Sequence, residues 1–223
     1  GSDPRCNGPD NHTTIKYPDV NGDGRADLCY RSNDGIVCQL SYGANGGWTK
    51  NLLNIQTDIC SNYNKPAYGE CGNDNNYATI TWADVNGDGR DDLIFRGDLG
   101  IQIGFSTGTG FANWKSYGMC ANGSTAYGKC NDEDNYYTIQ TPDINGDSRA
   151  DICYRGDMGI ACFLSVGNGL DVTNPIYTQI CANSSYGYPT YGVCNDEDNY
   201  DTISYADING DGKADLIYRG DQG

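Results

Sequence analysis

The chain has 223 residues, 30 Asp and Glu against 14 Lys and Arg, a net charge of -16 and a sequence pI of about 4.1. So acidic a surface repels phosphate backbones and anionic lipid, which argues against nucleic-acid and membrane partners, and no apolar run reaches the roughly 18 residues of a bilayer span. Disorder is countered by 18 Tyr, 11 Cys and 31 Gly, the makings of a turn-rich, cross-linked β protein.

In chain order, the opening GSDPRC has neither a basic nor an apolar leader region, so the chain reads as a mature or excised segment. From Cys6 a pattern begins that recurs at Cys71, Cys130 and Cys194. Each copy runs from its Cys to a Thr-Ile pair (at Thr14, Thr79, Thr138 and Thr202), then to an Asp opening DxNGD (Asp19, Asp84, Asp143 and Asp207). A short apolar run follows: DLCYR, DLIFR, DICYR and DLIYR. A turn and a second run, IVCQLS, IQIGFS or IACFLS, complete the first three copies, whereas the fourth reaches Gly223 just after the turn. Such runs, bounded by Gly and Asp, read as strands, and no 3.6-residue apolar period persists, so helix should be scarce. The expected fold class is all-β. Units of about 60 residues with three or four antiparallel strands cannot bury both faces alone and must stack, as β-propeller blades do. The repeats fall at about 6–70, 71–129, 130–193 and a partial 194–223, in one propeller segment spanning 1–223.

The copies also act as controls on cysteine pairing. Cys29 and Cys38 occupy the places of Cys153 and Cys162, and both places hold isoleucine in the second copy, Ile94 and Ile103. Cysteines that come and go together argue for a bond, and a hairpin loop at 32–35 sets residue 29 opposite 38. A second family pairs Cys60 with Cys71, Cys120 with Cys130 and Cys181 with Cys194, each closing a polar loop that ends YGxC. Cys6 is left over, its partner expected in a preceding repeat, a second chain, or nowhere, as a free thiol. Cysteine at this density fits an oxidising compartment and a secreted, extracellular protein. Three sequons, at Asn11, Asn122 and Asn183, fit eukaryotic secretion as well.

The DxNGD loops carry the chemistry. Ca²⁺ takes about six to eight oxygens from carboxylates, amides and carbonyls. Side chains at loop positions 1, 3 and 5, the carbonyl at 7 and an Asp at 9 supply that set. The first loop offers Asp19, Asn21, Asp23, Arg25 and Asp27; the second Asp84, Asn86, Asp88, Arg90 and Asp92. The third offers Asp143, Asn145, Asp147, Arg149 and Asp151, and the fourth Asp207, Asn209, Asp211, Lys213 and Asp215. Glycine at position 6 permits the backbone reversal; Ser148 replaces it in the third loop, an expected point of strain. An EF-hand would place Glu at position 12, where this chain has Tyr30, Phe95, Tyr154 and Tyr218. An ion-free Asx turn is the alternative, but repeated convergent carboxylates repel one another without a cation. Four Ca²⁺ ions would halve the net charge of -16.

At these residues the sequence resembles the FG-GAP/VCBS repeat family, found in integrin α-subunit propellers and in several secreted propeller lectins and lyases. The resemblance implies four-stranded blades, calcium in the loop between the first two strands, and an extracellular setting. The paired cysteines and YGxC loops lie outside the family's general pattern.

Catalytic signals are sparse: one histidine, His12, and no GxSxG, HExxH or phosphate-cradling loop. The chain reads as a binding module rather than an enzyme, a polysaccharide lyase being the enzymatic alternative. RGD occurs at Arg96, Arg155 and Arg219, always in the same turn, which hairpin geometry explains without an integrin ligand. Recognition of carbohydrate or an extracellular glycoprotein is expected from the disulfide loops, through Tyr63, Tyr186 and Tyr188 beside hydrogen-bonding amides. A noncatalytic segment of a larger secreted enzyme or toxin is the competing reading, and further blades from a longer parent chain or a second chain are expected partners.

Overall fold

The computed structural model describes residues 9–42, 47–48, 54–61, 73–123, 130, 132–183, 194 and 196–220. It is all-β apart from single helical turns. The first copy holds α1 (Pro9–His12), β1 (Leu28–Ser32), β2 (Gly35–Gln39), β3 (Ser41–Tyr42), β4 (Gly47–Trp48) and β5 (Asn54–Thr57). The second holds α2 (Asp74–Tyr77), β6 (Thr81–Ala83), β7 (Asp92–Gly97), β8 (Gly100–Ser106) and β9 (Phe111–Tyr117). The third holds α3 (Glu133–Tyr136), β10 (Ile152–Gly156), β11 (Gly159–Phe163) and β12 (Ile176–Thr178), and the fourth α4 (Glu197–Tyr200), β13 (Ser204–Ala206) and β14 (Asp215–Ile217).

The second copy shows the full pattern, an antiparallel sheet in the order β6-β7-β8-β9. In the first and third copies the opening strand thins to one bridge, Lys16 to Cys29 and Gln140 to Cys153, beside the sheets β1-β2-β5 and β10-β11-β12. Each sheet is small and open, and each copy builds its own.

Cys29 lies opposite Cys38, Cys153 opposite Cys162 and Ile94 opposite Ile103. Both cysteine pairs are bonded across a Cα separation of 4.1 Å, and the isoleucine pair is fully buried in the same cross-strand space. The hairpin loop is tighter than the sequence reading: residues 32 and 35 themselves pair, leaving a two-residue turn, Asn33-Asp34. The glycine closing the turn is obligatory. Gly35 sits at φ +116°, and a Cβ there would fall 1.9 Å from the Thr57 carbonyl oxygen.

The chain divides into two compact units, Gly1–Asp84 with Asp88–Tyr117, and Val85–Gly87 with Gly118–Gly223. In the first, the Cys29–Cys38 face and Ile55 bury Ile80, Leu93 and Phe95, with Trp82, Phe111 and Trp114 packed alongside. Gly104 makes room for this layer: a Cβ there would strike the Trp114 ring at 2.4 Å. In the second unit the Cys153–Cys162 face packs against Ile203, Tyr205 and Leu216.

Candidate functional site

The four DxNGD loops share one hydrogen-bond scheme. In the first, Asp19 Oδ1 accepts the amides of Gly22 and Asp23 at 2.8 and 3.1 Å, and Oδ2 accepts that of Gly24 at 2.7 Å. Asn21 Oδ1 accepts the Asp23 amide at 3.0 Å, and Asp23 Oδ1 the Arg25 amide at 3.0 Å. Asp84, Asp143 and Asp207 hold their loops in the same way, accepting the amides of Gly89, Ser148 and Gly212 at 2.8 Å. These bonds hold Asp207 below the usual carboxylate range, the Gly212 amide contributing most.

Position 9 is anchored differently. Asp27, Asp92 and Asp151 are fully buried, and their Oδ1 atoms accept the amides of Ser41, Ser106 and Ser165 at 2.8, 2.8 and 2.7 Å. Oδ2 of Asp27 turns back to the Val20 amide and that of Asp151 to the Ile144 amide. The carboxylate thus ties its loop to the sheet. Burial pushes Asp27 and Asp151 upward, and the other two loop aspartates in each case add to the rise.

At position 7 the side chains fold back on the loop. Arg25 pairs with Asp23 at 2.6 Å, and Arg90 and Arg149 pair likewise with Asp88 and Asp147. Ser148 lies at φ +64°, in the left-handed region that Gly24, Gly89 and Gly212 occupy at +79° to +81°. The strain expected at that replacement is present in the backbone.

Loops of successive copies also dock on one another. The Asp19 carbonyl accepts the Asp91 amide at 2.9 Å, and the Asp91 side chain accepts the Asp19 amide at 2.8 Å. In the second unit the Asp143 carbonyl accepts the Ala214 amide at 2.8 Å. Burial foremost, then Asp19 and Asp84, push the Asp91 carboxyl upward. Asp91 escaped the sequence reading because its counterparts are Ala26, Ala150 and Ala214.

The donor set matches a hard cation: carboxylate and amide oxygens only, with lone pairs beyond those the amides occupy. Among the described residues, no group of three or more His, Cys, Asp or Glu side chains is drawn into a metal-binding cluster. Instead, a guanidinium neutralises position 5 in the first three loops.

A second constellation was missed altogether. Arg31, Arg96 and Arg155 are fully buried. Their amides donate to Thr14, Thr79 and Thr138 at 2.8 Å, and those hydroxyls donate to the carbonyls of Asn11, Asn76 and Asn135 at 2.7 Å. The guanidinium donates to the side chain of the same asparagine: Arg31 to Asn11 at 2.8 Å, Arg96 to Asn76 at 2.6 Å, and Arg155 to Asn135. Arg155 Nε also donates to the Cys181 carbonyl at 2.8 Å, and its Nη1 pairs with Asp134 at 2.9 Å. Two of the three RGD arginines are therefore core residues, and their aspartates Asp98 and Asp157 accept from Asn76 and Asn135. The available signal was a constant spacing of 20 residues from each Asn to its Arg.

Cys120 is bonded to Cys130 and Cys181 to Cys194. Cys60 is disulfide-bonded too, while its expected partner Cys71 lies outside the described residues, as do Cys6, Tyr63, Tyr186 and Tyr188. Cys60, Cys120 and Cys181 all take left-handed backbone, at φ +62°, +60° and +62°. His12 is exposed. An apolar cleft of about 210 Å³ lies among Ile160, Cys162, Ile176, Tyr205 and Leu216. Thr178 and Tyr205 are the hydroxyl-bearing residues of its lining, and burial pushes the Tyr205 phenol upward.

Residues 19–95 match the model of the FG-GAP-like repeat family. Among solved structures, the chain is similar to an Agrocybe aegerita lectin described as recognising non-reducing terminal N-acetylglucosamine. The TM-score is 0.65 at 20% identity, over 92% of this chain and 46% of the lectin. It is also similar to a Photorhabdus luminescens Tc holotoxin pore, with a TM-score of 0.51 at 21% identity, over 92% of this chain and 8% of the toxin chain. The chain thus spans less than half the length of either. No curated protein matches.

Proposed function

We propose that this chain is an extracellular, calcium-loaded segment of a β-propeller that binds carbohydrate or a glycoprotein and catalyses no reaction. The observation that carries the reading is the fold shared with the N-acetylglucosamine-recognising lectin over 92% of this chain. The repeated sheets, each too small to stand alone, support blades of a propeller. Four oxygen-rich loops with one geometry support calcium, held by Asp19, Asn21, Asp23 and Asp27 and their counterparts. Bound there, the ion would supply structural charge neutralisation. The disulfides whose two cysteines are both described, Cys29–Cys38, Cys120–Cys130, Cys153–Cys162 and Cys181–Cys194, support the extracellular setting.

A glycan array, including N-acetylglucosamine-terminated chains, tests the reading with and without EGTA. Binding that disappears on chelation is expected. No binding in either condition sinks the lectin assignment and selects the second reading, a noncatalytic segment of a larger secreted toxin or enzyme, which the likeness to the Photorhabdus toxin favours. Release of an unsaturated, ultraviolet-absorbing product from acidic polysaccharide would overturn the noncatalytic assignment and establish a lyase.

A further inference from the structure

We propose that Asn122 is an N-glycosylation site, and that Asn11 and Asn183, which carry the other two sequons, stay unmodified in the folded protein. Folding separates three motifs that are equivalent as sequence. Asn11 is 2% exposed; its Nδ2 donates to Asn33 at 3.0 Å and its Oδ1 accepts from Arg31 at 2.8 Å. Asn183 is half-buried; its Nδ2 donates to Asp157 at 3.0 Å and its Oδ1 accepts from the fully buried Arg155. Both amides are built into the arginine networks, where a sugar on Nδ2 would displace a partner and find no room.

Asn122 is exposed, in a turn two residues after Cys120. The residue following it, Gly123, is exposed as well, at φ +79°, and among the described residues no atom lies within 4 Å of where a Cβ would stand. A glycan there extends into solvent, beside the loop that the Cys120–Cys130 bond closes.

The donor is a lipid-pyrophosphate-linked oligosaccharide. The bond from its sugar C1 to the pyrophosphate oxygen breaks, a bond from C1 to Asn122 Nδ2 forms, and that nitrogen gives up one proton as lipid pyrophosphate leaves. The proposal rests on the extracellular reading only for passage through a compartment that holds this donor.

The test expresses the full chain behind a secretory leader in a eukaryotic host. Folded protein is then treated with peptide N-glycosidase in ¹⁸O-water, which turns each glycosylated Asn into labelled Asp. Label at Asn122 that depends on the enzyme, and none at Asn11 or Asn183, is expected. Asn122→Gln removes the glycan mass. Unlabelled Asn122, or label at Asn11 or Asn183 in folded protein, overturns the proposal. Folded protein is assayed wherever it accumulates, so failed secretion strikes the extracellular reading alone and leaves the site assay intact.

Discussion

Arg155 and Asp134 form an ion pair at 2.9 Å in which the guanidinium is wholly buried and the carboxylate 18% exposed. Burial lowers the arginine's pKa and raises the aspartate's, so the fold works against both charges and relies on the surrounding hydrogen bonds to keep them. Arg155→Met strands Asp134, Asn135 and Asn183 and should cost about 3–5 kcal/mol. Arg219→Met, at the exposed counterpart in the fourth copy, should cost no more than about 1 kcal/mol. Urea unfolding of both variants checks the contrast; equal losses would remove the argument from burial.

The second copy predicts how the third tolerates loss of a disulfide. Cys153→Ile with Cys162→Ile reproduces the buried Ile94–Ile103 pair, and the cleft beside Cys162 gives it space. Apolar contact should offset much of the roughly 3 kcal/mol that a short cross-link contributes. The double isoleucine variant should therefore lose less than about 2 kcal/mol, and the double alanine variant distinctly more. Denaturation midpoints rank them.

Ser148→Gly should stabilise the protein. Relief of left-handed strain, about 1–2 kcal/mol, exceeds the extra chain entropy of glycine, about 0.5–1 kcal/mol. A net gain near 0.5–1 kcal/mol follows. Gly89→Ser in the second loop should move the melting temperature the opposite way.

Calcium should raise the melting temperature and EGTA lower it. A single site at a hundredfold excess over its dissociation constant adds about 2.7 kcal/mol. Asp23→Ala together with Asp88→Ala should remove part of that increment. Calorimetry with and without the ion decides, and an unchanged melting temperature on chelation means the loops hold no stabilising calcium.

Asp171 offers a pH marker outside the DxNGD loops. The Thr173 hydroxyl first, then its amide and the Asn174 side chain, hold this carboxyl down to about 2. A folded pKa below the unfolded one contributes stability above the ordinary carboxylate range, and that contribution disappears as pH falls toward 2. Carboxyl-carbon NMR titration of Asp171 should show a midpoint near 2, and Thr173→Val should return it toward the ordinary range.

The cross-strand pairs and the loops were legible because each leaves a mark on neighbouring letters. Cysteines that appear and vanish together reveal Cys29–Cys38, and a backbone reversal at φ near +80° demands the glycines of DxNGDG. The one-turn helices were not legible, since four residues are too few to display a 3.6-residue period. Nor were the buried arginines. A charged residue ahead of Gly-Asp reads as surface, and only the asparagine 20 residues upstream, invisible to local composition, makes its burial affordable. The seat of Trp114 leaves no local mark either: it is the missing side chain of Gly104 on the adjacent strand.

Loop aspartates recur at intervals of 65, 59 and 64 residues, yet each arginine stands 20 residues beyond its asparagine in every copy. The Arg–Asn hydrogen bond fastens the two ends of that span, making it a closed ruler of fixed length. All variation in copy length must fall outside it, in the outer strands and disulfide loops. Those segments can lengthen or shorten while the loops keep their register, so an insertion there leaves the DxNGD loops undisturbed.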